Sequence, residues 1–322
     1  MFNLFFDFLH NFKPQPIILR LGVFNIYWYS CLIVFGLLLG LILVFKLNSR
    51  FSAKGAVSAF GARSASGGNI KKQLLENLFF YLIISGFLGA RLYHVLSEFP
   101  YYLKYPWQVF AVWQGGLGIY GAVIVGTLVL FWFCKKYKLR FLSLADLLVP
   151  SLILGQAIGR WGNYFNQEVF GKPTNLPWGI PIKIIARPSE FLSAQYFHPT
   201  FLYESIWNFL IFIMLIWAYL YFSKFRSDTN IRIHTNDAND SNNNSCGRIR
   251  VSRAKGRGLR YSGAVFALYL ILYSFGRFFL EFLRIDSQPM LLGLRLAQVV
   301  AIVLFVVGWG ILMRKSTKQL SN

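Results

Sequence analysis

YWYSCLIVFGLLLGLILVF, residues 27–45, contains no Asp, Glu, Lys or Arg. A helix rises about 1.5 Å per residue, so this run is about 28 Å long and matches the roughly 30 Å hydrocarbon core of a bilayer. Three other charge-free runs, 115–134, 205–223 and 296–313, are each long enough to cross alone. Three more are apolar over a shorter stretch before an ionisable residue: 77–90 before Arg91, 147–159 before Arg160, and 261–276 before Arg277. These seven segments predict an all-α, polytopic membrane protein, a single membrane domain over 1–322.

Composition agrees. The 322 residues are 56% apolar and 18% aromatic but only 14% charged, well below the roughly 25% charged residues of a soluble domain. The formal charge is +21, which in a soluble protein would suggest nucleic acid. Here the basic residues collect between apolar runs, so no nucleic-acid partner is expected. The connections 46–72, 135–140, 223–260 and 314–322 hold 22 Lys and Arg, and those on the other side hold 9. Cytoplasmic loops hold the excess, which predicts an outer N-terminus and a cytoplasmic C-terminus. Three scattered cysteines and four histidines without paired spacing predict neither a disulfide framework nor a metal site, and no cofactor is expected.

Between the spans, residues 51–68 are rich in Gly, Ala and Ser, and 227–258 in Asn, Asp and Arg; both are expected to be flexible cytoplasmic insertions. Residues 172–197, with four prolines, suit an outer-face lid or connector. Residues 1–12 lack the basic start and cleavage site of a secretory signal, and suit an interfacial helix or a frayed apolar tail.

A charge at bilayer depth needs a partner, a water-filled cavity or a function. Tyr269, Tyr273, Arg277 and Glu281 follow one another at intervals of four, with Arg284 three later, so they share one helical stripe. In LILGQAIGRWGNYFNQEVFG, residues 152–171, a glycine face precedes Arg160, Asn163, Asn166 and Glu168. Arg91 follows ISGFLGA and needs a counter-charge; Gln114 and Tyr120 sit among glycines; HPTFLYE brings His198, Tyr203 and Glu204. Together these predict a cationic cavity near the outer leaflet, with Arg91, Arg160, Arg277 and Arg284 beside Glu168, Glu204 and Glu281. An arginine fork donates two hydrogen bonds to one oxyanion, so an anionic phospholipid headgroup is the natural ligand.

GRWGNYFNQEVFG, residues 159–171, resembles the signature of bacterial prolipoprotein diacylglyceryl transferases. IYWYS at 26–30, FLGARLYHV at 87–95, GGLGIYGAVIVG at 115–126, ADLLVP at 145–150, HPTFLYE at 198–204 and YSFGRFFLEFLR at 273–284 follow in the family's order. The resemblance implies an enzyme of the inner membrane. It would move the sn-1,2-diacylglyceryl group of phosphatidylglycerol to the lipobox cysteine of a prolipoprotein signal peptide, releasing glycerol 1-phosphate. It also implies that Arg160, Asn163, Glu168 and Gly171 are signature residues, that Arg277 and Glu281 are the essential arginine and its carboxylate, and that Tyr29, Asp146 and Tyr273 are functional. Arg91 and Arg284 match further family arginines. Where many members have a histidine in HGG or HGA, this chain has Tyr120 in YGA.

The expected chemistry is displacement of a phosphodiester by sulfur. Arg160 and Arg277 would stabilise the departing phosphate, with Arg91 or Arg284 holding the headgroup and Asn163 donating a neutral hydrogen bond. Glu168 and Glu281 would orient arginines; His198, Glu204 and Tyr120 are candidate thiol bases. The rival reading is a flippase or anionic solute transporter, which predicts internal symmetry that the sequence does not display. An intramembrane serine protease would need a GxSxG-like turn, and none precedes a suitable histidine.

Overall fold

The structure, a computed structural model, describes residues 2–22, 24–52, 70, 72–238, 262–286, 288–291 and 293–320. In chain order the elements are α1 (Phe2–Asn11), β1 (Ile17–Leu21), β2 (Phe24–Tyr27), α2 (Trp28–Ser52), α3 (Lys72–Ser97), α4 (Phe99–Lys104), α5 (Ile119–Lys136) and α6 (Phe141–Asn166). They continue with β3 (Ile180–Pro181), β4 (Tyr196–Phe197), α7 (Thr200–Ala238), α8 (Ala264–Leu280), β5 (Met290–Leu291), β6 (Leu294–Arg295) and α9 (Leu296–Leu320). The strands form three antiparallel hairpins, β1 with β2, β3 with β4 and β5 with β6.

Seven of the helices, α2, α3 and α5 to α9, are long and apolar enough to cross a membrane, as the sequence predicts. Two of the weaker three, α3 and α6, are longer than their charge-free runs, because Arg91 and Arg160 lie inside them rather than at their ends. Of the two insertions, residues 53–68 and 239–258 lie outside the described residues, and the backbone of 227–238 continues α7.

The chain divides into two compact units. The first comprises Met1–Val44, Ala145–Thr229 and Gly247–Asn322. Within it α6 touches three neighbours. Hydrocarbon gives helices no hydrophobic reason to associate, so close backbone approach and hydrogen bonds must hold them. Gly36 and Gly40 of α2 supply the approach: a Cβ on Gly36 would lie 3.4 Å from Gly155 Cα, and one on Gly40 3.5 Å from Ser151 Cβ. Towards α7, Trp161 Nε1 donates to Ser205 Oγ (3.1 Å), which donates to Ala157 O (2.9 Å). Asp146, near the start of α6, accepts the backbone N–H groups of Gly263 and Phe266, the latter at 2.9 Å, and so caps the first turn of α8.

α7 and α8 meet where Trp207 lies over Gly276 and donates its indole N–H to Leu272 O at 3.1 Å. A Cβ at Gly276 would overlap Trp207 Nε1. Gly276→Ala is therefore expected to push α7 from α8 just beside Arg277, lowering activity at least about tenfold and thermal stability by about 1–3 kcal/mol, the usual range for overpacking. Paired thermal-unfolding and transfer assays check this; a variant unchanged in both refutes the contact.

The head of this unit, between α6 and α7, has its own core of Tyr164, Phe170, Ile180, Ile182, Phe197, Phe201 and Leu202, closed by Leu9 of α1. His10 stacks on Tyr196 at 3.9 Å, and its Nδ1 lies 2.9 Å from Gly179 O. The N-terminal helix is thus docked on residues 172–197 rather than frayed.

The second unit comprises Phe45–Leu144 and Asn230–Cys246. α3 and α5 pack at Gly89 and Gly121, where a Cβ on either would overlap the other's carbonyl region. Asn48 clasps Ile70 through both its backbone groups, at 3.0 and 3.3 Å. Trp107, Phe110 and Trp113, in the connection from α4 to α5, are largely exposed, which suits aromatic side chains at headgroup level.

Candidate active site

Glu204 organises the first unit's polar centre. Proline and threonine in HPT start α7 beside the head, which places Glu204 one turn inside the helix with its side chain 5% exposed. One of its oxygens lies 2.6 Å from Arg160 Nη2 of α6; the other lies 3.1 Å from Arg277 Nη1 of α8 and 3.5 Å from Arg284 Nη1. Arg277 also faces Glu281, with Nη2 2.9 Å from Oε2. That contact is an ion pair without hydrogen-bond alignment, as is the 3.9 Å approach of Arg284 Nε to the same oxygen, which has no hydrogen-bond partner among the described residues. Glu281 is fully buried, and its other oxygen accepts from Arg295 Nη1 at 3.0 Å. Arg284 makes a two-pronged pair with Asp286, at 2.7 and 2.9 Å.

The connected cluster holds four guanidiniums (Arg160, Arg277, Arg284, Arg295) and three carboxylates (Glu204, Glu281, Asp286). One positive charge is in excess. Burial disfavours ionised Asp286, but hydrogen bonds from Arg284 and Gln288 outweigh it and hold its carboxyl below the usual range. Among the three arginines around Glu204, Arg160 differs from Arg277 and Arg284, whose side chains are 15% and 6% exposed. Its side chain is 22% exposed and has no partner but Glu204 among the described residues, so most of its five donors remain for a ligand.

The end of α6 is shaped by a strained turn. Gln167 and Val169 have φ of 54° and 57°, an outlying conformation for a β-branched residue. The turn folds Glu168 back to accept from Asn163 Nδ2 (2.8 Å) and Asn166 Nδ2 (3.2 Å). Gln167 holds the head, donating to Pro181 O (3.3 Å) and accepting from Lys183 N (3.1 Å). Tyr29 lies against Gly162, where a Cβ would overlap its ring, and within electrostatic reach of Glu168 and Arg160. Gly171 joins three segments: its N–H donates to His198 O (2.9 Å), and a Cβ would come within 2.8 Å of His198 Cβ and 3.0 Å of Leu283 O. Its lack of a side chain is thus explained by packing.

His198 belongs to a chain of hydrogen bonds. Trp178 Nε1 donates to the Tyr203 hydroxyl at 2.8 Å, and that hydroxyl lies 3.2 Å from His198 Nδ1. The Nδ1 edge of the ring is thus engaged with Tyr203. Burial lowers the pKa of the imidazole, which favours the neutral ring.

Two expected residues belong to the other unit. Arg91 is 8% exposed and donates to four carbonyls, those of Gln108, Val109 (2.9 Å), Gly115 (2.7 Å) and Gly116 (3.1 Å). Its expected counter-charge is thus replaced by backbone dipoles. Tyr120, half exposed, stands 5.7 Å from the Tyr93 ring. The Gln114 side chain lies outside the described ones. Asp146 caps α8 from the opposite end of α6 and serves the fold.

The pattern of the prolipoprotein diacylglyceryl transferase family matches residues 16–233 and 248–314. The chain belongs to this family. It is 38% identical to a phosphatidylglycerol–prolipoprotein diacylglyceryl transferase of Nostoc sp. over 92% of this chain and 87% of the relative. It is also 38% identical to one of Synechocystis sp., over 96% and 94%, and 36% identical to one of Gloeobacter violaceus, over 95% and 96%.

In this diacylglyceryl transferase family member, sequence reasoning missed Arg295 and Asp286. Neither lies on the stripe of α8, and residues in a loop or a two-residue strand carry no periodic signal. One local sign was present: Gln298, three residues after Arg295, accepts the Arg295 N–H at 3.1 Å, the reciprocal half of a capping box at the start of α9.

Proposed function

We propose that this enzyme transfers the sn-1,2-diacylglyceryl group of phosphatidylglycerol to the lipobox cysteine of a prolipoprotein signal peptide. It would work in the inner membrane with the N-terminus outside and the C-terminus in the cytoplasm, the orientation that the loop charges favour. The observation that carries the reading is Arg160, a half-buried guanidinium tied to Glu204 by one edge and otherwise uncommitted, beside Arg277 and Arg284.

The thiol sulfur forms a bond to the glycerol carbon, the bond from that carbon to the phosphate oxygen breaks, and its electron pair leaves on glycerol 1-phosphate. Negative charge gathers on a phosphate that Arg160 is already placed to meet, with no solvent to reorganise. Arg277 and Arg284 face Glu204 and supply the surrounding field. Asn163 and Asn166 hold Glu168, whose carboxylate orients the outer end of α6. A free thiol has a pKa of about 8.5, and an electropositive pocket lowers it, so the proton can leave to water without a dedicated base. The three arginines around Glu204 support this over that carboxylate acting as base.

The test is transfer of labelled diacylglyceryl from phosphatidylglycerol to a lipobox peptide in detergent, beside the same peptide with Ser for Cys. Thioether product from the Cys peptide alone is expected. Folded protein that binds the lipid and makes no product would return the reading to a lipid transporter.

A further inference from the structure

A glycerophospholipid has a fixed order of polarity: a charged phosphodiester, then two neutral ester carbonyls a few bonds deeper, then hydrocarbon. The wall below Arg160 and Arg277 repeats it. Gln156 precedes Arg160 by four residues on α6, and Tyr273 and Tyr269 precede Arg277 by four and eight on α8. One turn is about 5.4 Å, comparable to the phosphate-to-ester step, and residues four apart share a face. From Arg160 back to Asp146, and from Arg277 back to the start of α8, the only ionisable side chains are Tyr269 and Tyr273. A charged rung is thus followed by a neutral polar one.

That rung is built. The hydroxyl of Tyr269, 7% exposed, lies 3.2 Å from Gln156 Nε2 and 3.5 Å from Oε1. The Tyr269 ring stacks on Tyr273 at 5.6 Å and 22°. Polar groups in hydrocarbon are costly unless partnered, and this pairing answers Tyr269. It uses one amide proton of Gln156 and leaves the second without a partner among the described residues, on a partly exposed side chain. Tyr269 therefore fixes an amide whose free N–H sits one turn below the phosphate-facing arginine.

We propose that Gln156, held by Tyr269, donates this second amide proton to an ester carbonyl of the lipid, so that the site prefers a diacyl to a dialkyl glycerol. This rests on the transferase reading above. The experiment compares kcat/KM for phosphatidylglycerol with that for its diether analogue, which lacks both carbonyls, in wild type, Gln156→Leu and Tyr269→Phe. Wild type is expected to favour the diester about tenfold, the worth of one neutral hydrogen bond. Gln156→Leu should bring the ratio close to one, and Tyr269→Phe should leave an intermediate ratio, the amide being present but unpinned. A ratio between two lipids for one preparation does not depend on how much variant folds. Equal use of both lipids by wild type, or a wild-type ratio in Gln156→Leu, overturns the proposal and leaves the transferase reading standing. No transfer from either lipid by wild type overturns the reading beneath it.

Discussion

Replacing Arg160 by alanine is expected to lower kcat/KM for transfer from phosphatidylglycerol by about 10²–10³-fold, the usual loss when one preorganised donor to a developing oxyanion is removed. The cause lies in how the three inner arginines are spent. Arg277 divides its fork between Glu204 and Glu281, and Arg284 gives its fork to Asp286, whereas Arg160 commits one edge to Glu204. Arg160→Lys should recover little, because an ammonium cannot hold Glu204 and offer a planar pair of donors together. Since Arg160 is the most exposed of the three, its variant should fold, with the loss in turnover rather than protein level. Initial rates at saturating peptide over a range of lipid concentration check this. A variant with wild-type kcat/KM would remove Arg160 from the phosphate site.

Glu204→Gln is expected to cost about 10² in turnover or more and also to weaken the fold. A neutral amide in that place leaves the cluster with two positive charges in excess and turns an N–H group towards guanidinium N–H groups. Breaking a buried ion pair from one side costs about 3–5 kcal/mol. Glu204→Asp keeps the charge on a shorter stem and should retain part of both properties. The pH profile separates organiser from base. If Glu204 removed the thiol proton, the defect would shrink as pH rises past the free-thiol pKa of about 8.5; as the tie among three arginines its loss should not depend on pH there. Thermal unfolding and rates between neutral and alkaline pH test both parts, and a defect that vanishes at high pH would make Glu204 the base.

Much of the site was legible because membrane helices make charge conspicuous. Arg160, Arg277, Glu281 and Arg284 could be singled out as charges that hydrocarbon does not tolerate, and spacings of four and three residues placed the last three on one face. The structure joins them with Glu204 as the centre, a role the sequence assigned to no single residue. Arg91 was singled out by the same rule, but the rule says only that a buried charge needs a partner. Carbonyls of the glycine-rich stretch before α5 serve as well as a carboxylate, and local spacing does not distinguish the two. His198 and Glu204 looked alike as bases until their partners separated them, one in contact with a tyrosine hydroxyl and the other bound to three cations.

By itself the sequence determined the number of the spans, their alternation of loop charge, and which residues carry charge into the membrane. Those properties follow from hydrocarbon thickness, helix rise and desolvation cost, all local along the chain. Only the tertiary structure decided which charges meet: that Glu204 ties Arg160 to Arg277, that Arg295 reaches back to Glu281, and that Gln156 pairs with Tyr269. Contacts between helices depend on where glycines let backbones approach and on how the strained turn after α6 aims the next segment, and these distances are set by packing across the chain rather than along it.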